Sequence, residues 1–120
     1  MTNKEKFKVG VIGATGMVGQ RFVTLLENHP WFRLTAVAAS AKSAGKTYWE
    51  AVGSRWSLDI PCPEEAKDIR VLDAEADAEK LAASVDFCFC AVDMKKEAIR
   101  ALEERYAKLE CPIVSNNSAH

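Results

Sequence analysis

The segment GATGMVG, residues 13–19, constrains this chain more than any other part of its 120 residues. A short β-branched run, KVGVI at 8–12, leads straight into it, and an amphipathic stretch over 17–28 leaves it. A strand that turns through glycines directly into a helix is the setting in which such a pattern carries chemistry. Gly13 permits a tight turn. Gly16 lets the backbone approach a pyrophosphate with no Cβ in the way, and Gly19 lets the helix pack closely on the strand. The N–H groups of residues 15–18 then face an anion at the positive end of the helix dipole. The spacing is G-x-x-G-x-x-G, a variant of the dinucleotide-binding loop. The competing reading is a glycine-rich turn that holds no ligand.

The rest of the chain repeats the strand–helix alternation. The helix over 17–28 carries Val18, Phe22, Leu25 and Leu26 on one side, and Pro30 closes it. LTAVAA at 34–39 reads as a second strand, and 69–72 as a weaker third. Asp77 is placed to cap a short helix running through Ser84. VDFCFCAV at 85–92 is a fourth strand, nearly apolar on both faces. Asp93 is placed to cap a helix striped by Ala98, Ile99, Leu102, Tyr106 and Leu109, and PIVS at 112–115 is a fifth strand. Strands apolar on both faces and alternating with helices predict an α/β fold, with about five parallel strands and helices on both faces. Right-handed crossovers make that sheet doubly wound. Gly45, Gly53, Pro61 and Pro63 break up 41–68, where a short helix at Tyr48–Val52 is the one element expected.

Charge and composition narrow the function. Lys plus Arg number 16 and Asp plus Glu 17, a net charge of −1, so there is no basic excess for nucleic acid. No apolar run approaches the roughly 18 residues of a membrane span. The N-terminal apolar stretch is too short for a secretory signal, so the chain reads as cytosolic. Cys62, Cys88, Cys90 and Cys111 form no C-x-x-C pair and lie far in sequence from His29 and His120, so no metal site is expected. Cys88 and Cys90 share one face of an apolar run and read as small buried fillers. Cys111 sits at the wrong end of its strand for a sheet whose ligands bind at the carboxyl edge. Trp31, Trp49 and Trp56 have no regular spacing and read as packing or loop anchors.

The second strand bears on the cofactor. A site selective for NAD ends this strand with an acid for the ribose hydroxyls, about 20 residues past the loop. Here it ends Ala-Ala-Ser40-Ala-Lys42-Ser43, with no acid before Glu50. Hydroxyls and a lysine instead suit a 2′-phosphate through charge-assisted hydrogen bonds, which favours NADP over NAD. The alternatives are turn chemistry for Ser40 and Ser43 and a solvated surface position for Lys42. SNNS at 115–118 follows the fifth strand on the cofactor side; it is either a ligand contact or a polar turn.

With these residues in hand, the chain resembles the start of an aspartate-semialdehyde dehydrogenase of the archaeal and fungal branch. The resembling pieces are VGVIGATGMVGQRFVTLLENHPWF, LTAVAASAKSAGKTY, FCAVDM and PIVSNNSAH, in order from Val9 to His120. GATGMVG alone is shared with other reductases, such as N-acetyl-glutamyl-phosphate reductases; SAKSAGK together with SNNSAH is far more specific. The resemblance implies a Rossmann-type NADP-binding domain spanning residues 1–120. It also implies reduction of aspartyl phosphate to the semialdehyde, in lysine, threonine and methionine biosynthesis. Thr15, Gly16, Met17 and Val18 match the family's pyrophosphate loop, and Ser40, Lys42 and Ser43 its 2′-phosphate site. Cys90, Ala91 and Val92 match the strand edge beside ribose and nicotinamide, and Asn117 a nicotinamide-side or substrate-side contact. The family's catalytic cysteine and histidine belong to a second domain and match no residue here. In the family, an arginine that binds substrate phosphate typically follows SNNSAH, so a truncated chain, inactive alone, is expected. Homo-oligomers are expected of full-length members. Three other functions compete: the cofactor domain of an N-acetyl-glutamyl-phosphate reductase-like enzyme, a non-enzymatic NADP-sensing module, and an interaction domain whose glycine loop is structural only.

Overall fold

The computed structural model describes residues 7–27, 29–53, 56, 58–91 and 96–115. Five parallel strands form one sheet in the order β3-β2-β1-β4-β5. They are β1 (Phe7–Ile12), β2 (Phe32–Ala39), β3 (Val71–Asp73), β4 (Phe87–Cys90) and β5 (Ile113–Ser115). The helices are α1 (Met17–Leu25), α2 (Tyr48–Val52), α3 (Glu64–Lys67), α4 (Ala78–Ser84) and α5 (Lys96–Lys108). The doubly wound α/β architecture is therefore as expected. Val9, Val11, Leu34, Val37 and Val71 pack with Val23, Tyr48, Val52 and Ala66 on one face. Ile12, Ala36, Ala38, Cys88 and Cys90 pack with Ala78, Leu81, Leu102 and Tyr106 on the other. All four cysteines are buried and none is in a disulfide, the filler role expected of Cys88 and Cys90.

Several local expectations are corrected. The buried side of α1 is Gly19, Gln20 and Val23, with Leu26 at the helix end. Val18 and Leu25 of the expected stripe face outward, 42% and 64% exposed. The cause is Gly19. A Cβ there would lie 2.6 Å from Ala14 Cα and 2.8 Å from the Gly13 carbonyl carbon. Backbone contact at Gly19 fixes the helix's rotation, so apolar spacing alone points one position off. The helix also ends at Leu25, short of the expected 28.

The fourth strand is shorter than 85–92. Val85 ends α4 in an extended conformation. Asp86 is tied to β1 through both its groups: its N–H donates to the Lys8 carbonyl at 2.7 Å, and its carboxylate accepts the Lys8 N–H at 2.7 Å. Val92 and Asp93 lie outside the described residues. The third strand begins at Val71 rather than 69, because Ile69 and Arg70 are used elsewhere. The Ile69 carbonyl accepts the Tyr48 N–H at 2.7 Å, and Arg70 bridges Thr47 antiparallel. The fifth begins at Ile113; Pro112 has no N–H to pair but its carbonyl accepts from Cys88 at 3.0 Å. Asp77 stands at the start of α4 but does not cap it by its side chain. Its carboxylate accepts the Asp73 N–H at 2.8 Å instead. The short α3 was not anticipated; Pro63 read as a breaker, yet it occupies the N-cap, where a missing N–H costs no helical hydrogen bond. Trp56 is a loop anchor, donating from Nε1 to the Ile60 carbonyl at 2.9 Å. Trp31 is not an anchor: it is 66% exposed and meets the His29 ring edge-on.

The β1–β2 register slips by one residue between Val9 and Gly10, opposite Leu34 and Ala36, which leaves Thr35 as the extra residue. Its hydroxyl is buried with no hydrogen-bond partner among the described residues. Thr35→Val keeps the shape and removes the orphaned hydroxyl, so it should raise unfolding free energy by about 1 kcal/mol in urea denaturation. Gly19→Ala should lower it by about 2–3 kcal/mol, because backbone must move to admit the methyl.

Candidate functional site

In a doubly wound sheet, ligands bind beyond the carboxyl ends of the strands where the strand order reverses. Here that point lies between β1 and β4, whose last residues, Ile12 and Cys90, are register partners. The chain leaves β1 at Gly13, whose φ of 81° lies in the left-handed region that favours glycine. The N–H groups of Gly13 and Ala14 are both spent on the Ala38 carbonyl of β2, at 2.8 and 3.2 Å.

The carbonyls of the loop are all accounted for. That of Gly13 accepts the Gly16 N–H at 3.3 Å, and that of Gly16 accepts the Gln20 N–H at 2.8 Å. Tyr48 Oη donates to the Ala14 carbonyl at 2.7 Å, and Gln20 Nε2 donates to the Thr15 carbonyl at 2.9 Å. The N–H groups of Thr15, Met17, Val18 and Gly19 have no acceptor among the described residues. One sequence expectation is corrected here. Gly16 does not offer its N–H to a ligand, because that N–H closes the turn. No side chain caps α1, and its first turn carries no acid. The open donors and the positive end of the dipole together suit an anion.

The three loop glycines separate by cause. The backbone angle demands Gly13, and lack of room demands Gly19. Neither demands Gly16. Its φ of −80° is ordinary, and a Cβ there would meet only the Gly13 carbonyl oxygen, at 3.8 Å. Glycine at 16 suits the N-cap position it occupies, and it leaves the backbone there open to approach.

The turn after β2 holds the other sequence-derived candidates. The Ser40 carbonyl accepts the N–H groups of Ser43 and Ala44, at 3.0 and 3.2 Å. This presents Ser40 and Lys42 to solvent, while Ser43 is 7% exposed. The turn is strapped to β3: the Gly45 N–H donates to Val71 at 2.9 Å, and the Val71 N–H to Lys46 at 2.8 Å. Arg70 donates from its guanidinium to the Gly45 carbonyl. Thr47 and Glu50 then form a capping box that starts α2. The Thr47 N–H holds the Glu50 carboxyl below the usual carboxylate range, helped by the Thr47 hydroxyl and by Arg70 and Lys46. A carboxyl depressed in this way stabilises the folded state above its unfolded pKa, and the gain is lost as pH falls through the folded value.

On the β4 side, Cys90 is fully buried in the core, so only its backbone reaches the sheet edge. Ala91 donates its N–H to the Ile12 carbonyl at 2.8 Å. Val92 and Asn117 fall outside the described residues. Burial pushes the thiols of Cys88, Cys62 and Cys111 upward, so none is poised as a thiolate. Among the described residues no group of three or more His, Cys, Asp or Glu side chains can hold a metal ion. No helix there is long and apolar enough to cross a membrane.

Two side chains that matter to the loop, Tyr48 and Gln20, were not singled out from sequence. Their spacing from the glycines carries no signal, since Tyr48 acts across 34 residues.

The family profile for the NAD-binding domain of semialdehyde dehydrogenases matches residues 8–120. The chain is 42% identical over 111 residues to the aspartate-semialdehyde dehydrogenase of Methanothermobacter thermautotrophicus, covering 92% of this chain and 29% of that protein. It is 41% identical over 107 residues to that of Saccharomyces cerevisiae, covering 89% and 27%. The crystal structure of aspartate-semialdehyde dehydrogenase with NADP from Candida albicans matches with a TM-score of 0.81 at 35% identity, covering 95% of this chain and 30% of that one. The chain thus spans less than a third of the length of the relatives it matches.

Gly16→Ala should leave thermal stability nearly unchanged, within about 1 kcal/mol, since the methyl has room and φ is ordinary. The same variant should lose affinity for a bound pyrophosphate, read by titration with a dinucleotide.

Proposed function

Because the chain belongs to the semialdehyde dehydrogenase family, as its NAD-binding domain, we propose that residues 1–120 form one cofactor domain that binds NADP(H). The whole protein is then an aspartate-semialdehyde dehydrogenase, reducing aspartyl phosphate to the semialdehyde with release of phosphate. The observation that carries this reading is the empty space over Gly16 at an uncapped helix start, on the point where the strand order reverses. A pyrophosphate fits there, because the donors are main-chain N–H groups and no side chain intrudes.

Thr15, Met17 and Val18 hold the pyrophosphate through their N–H groups, while Gly13 and Gly19 shape the loop. Ser40 and Lys42 take the 2′-phosphate. Buried Ser43 serves through the turn that presents them, its N–H bound to Ser40. Cys90 and Ala91 lie beside ribose and nicotinamide through their backbone, and Asn117 contacts the nicotinamide or substrate side. When bound, the nicotinamide supplies the hydride. The nucleophilic cysteine and the acid–base histidine lie outside residues 1–120, so this chain binds cofactor without turnover: the reacting groups must be held together for catalysis. The whole protein works in the cytosol as a homo-oligomer.

Titration of the chain with NADPH and, in parallel, NADH, followed by quenching of Trp31, Trp49 and Trp56, tests this. Saturable binding that favours NADPH is expected; binding of neither overturns the reading. Lys42→Ala should weaken NADPH by about tenfold or more, the scale of one charge-assisted hydrogen bond. NADH should change by less than about twofold, since it has no 2′-phosphate for Lys42 to meet. Equal losses would remove Lys42 from the 2′-phosphate site.

A further inference from the structure

The outward direction of the loop's donors has a cause inside the protein. In a trans peptide, C=O and N–H point in opposite directions, so fixing one fixes the other. The Ala14 carbonyl is drawn to Tyr48 Oη at 2.7 Å, and Tyr48 is fully buried in the core beneath α1. The Thr15 N–H, on the same peptide, must therefore point away from the core. The Thr15 carbonyl is drawn in turn to Gln20 Nε2 at 2.9 Å, from a side chain in a residue 1% exposed. Two consecutive peptides between Gly13 and Gly16 are thus oriented by buried side chains, across a stretch where glycine would otherwise leave the backbone loose.

Tyr48 is itself well held. It begins α2 behind the Thr47–Glu50 capping box, and its own N–H donates to Ile69 at 2.7 Å. Burial, with a smaller effect from Cys62, pushes its phenol above the ordinary tyrosine range, so it stays a neutral donor.

We propose that Tyr48, with Gln20, is a positioning residue for the cofactor: Tyr48 aims the open Thr15 N–H at the pyrophosphate, and Gln20 holds the next peptide, whose Gly16 N–H closes the turn on Gly13, so neither side chain touches the ligand. This rests on the dinucleotide reading above. The turn at 40–46 is fixed by its own main-chain bonds to Ser40 and Val71, so the 2′-phosphate end does not depend on the Tyr48 hydroxyl. The proposal therefore separates the two ends of the cofactor.

The test compares Tyr48→Phe and Gln20→Met with the wild-type chain, titrating NADPH and adenosine 2′-monophosphate, which lacks the pyrophosphate. NADPH affinity should fall by about tenfold in each variant, the scale of one hydrogen bond lost from a preorganised site. Affinity for adenosine 2′-monophosphate should change by less than about twofold, since that probe makes no pyrophosphate contact. Equal loss for both probes would mean a merely structural role and overturns the proposal, as does unchanged NADPH binding. If Tyr48→Phe fails to fold, Gln20→Met decides alone, because it frees the peptide whose Gly16 N–H closes the turn and so loosens the adjoining donors. A wild-type chain that binds no NADPH overturns the dinucleotide reading itself, an outcome distinct from normal wild-type binding with indifferent variants.

Discussion

The site rests on one close backbone contact, that of Gly19 in α1 against Gly13 and Ala14 at the end of β1. With no side chain at 19, the first turn of the helix sits directly on the loop. Its dipole and its unpaired N–H groups then converge where β1 ends. The same contact sets which side of α1 meets the sheet, and so which residues fill the core around Val23 and Leu26. Adding one methyl there would displace the helix start, and the core packing would move with it.

Around that contact the protein divides its labour between main chain and side chain. The turn at 40–46 is built almost entirely from backbone hydrogen bonds and tied to β3, so its shape tolerates sequence change. Ser40 and Lys42 are side chains that it exposes to solvent. The glycine loop is the reverse case: its open donors are all backbone N–H groups, and two of its carbonyls are met by buried side chains, Tyr48 and Gln20. Because α2 follows the turn directly, one short stretch of chain serves both ends of the candidate site.

The sheet, the order of its elements and the glycine loop were legible in the sequence, because β-branched runs and glycine spacing are local signals. So was the helix at Tyr48–Val52. What was not legible depended on contacts across the chain. The rotation of α1 followed backbone proximity at Gly19, not the apolar stripe of Val18, Phe22 and Leu25. Asp77 carried a good capping identity, yet its carboxylate served Asp73 instead. Val85 and Ile69 had strand-forming side chains, but the hydrogen bonds around them belonged to a helix end and to the strap. Tyr48 reads as an ordinary core aromatic until its hydroxyl is seen to reach Ala14. At the candidate site, the sequence identified the loop and the turn but not the spent N–H of Gly16, nor the burial of Ser43.

The pairing of β1 with β4 bears on how the chain reaches this fold. Lys8 and Asp86, joined at the start of both strands, are 78 residues apart in sequence. Closing so long a loop has an entropic cost that must be met before the contact stabilises anything. Parallel sheets made of such distant pairs fold slowly. β1 and β2 both lie within the first 39 residues, whereas the crevice between β1 and β4 needs Phe87–Cys90 as well. During synthesis the chain must therefore carry an open β1 edge, with Val9, Val11 and Ile12 uncovered on one flank, until β4 arrives to pair with it.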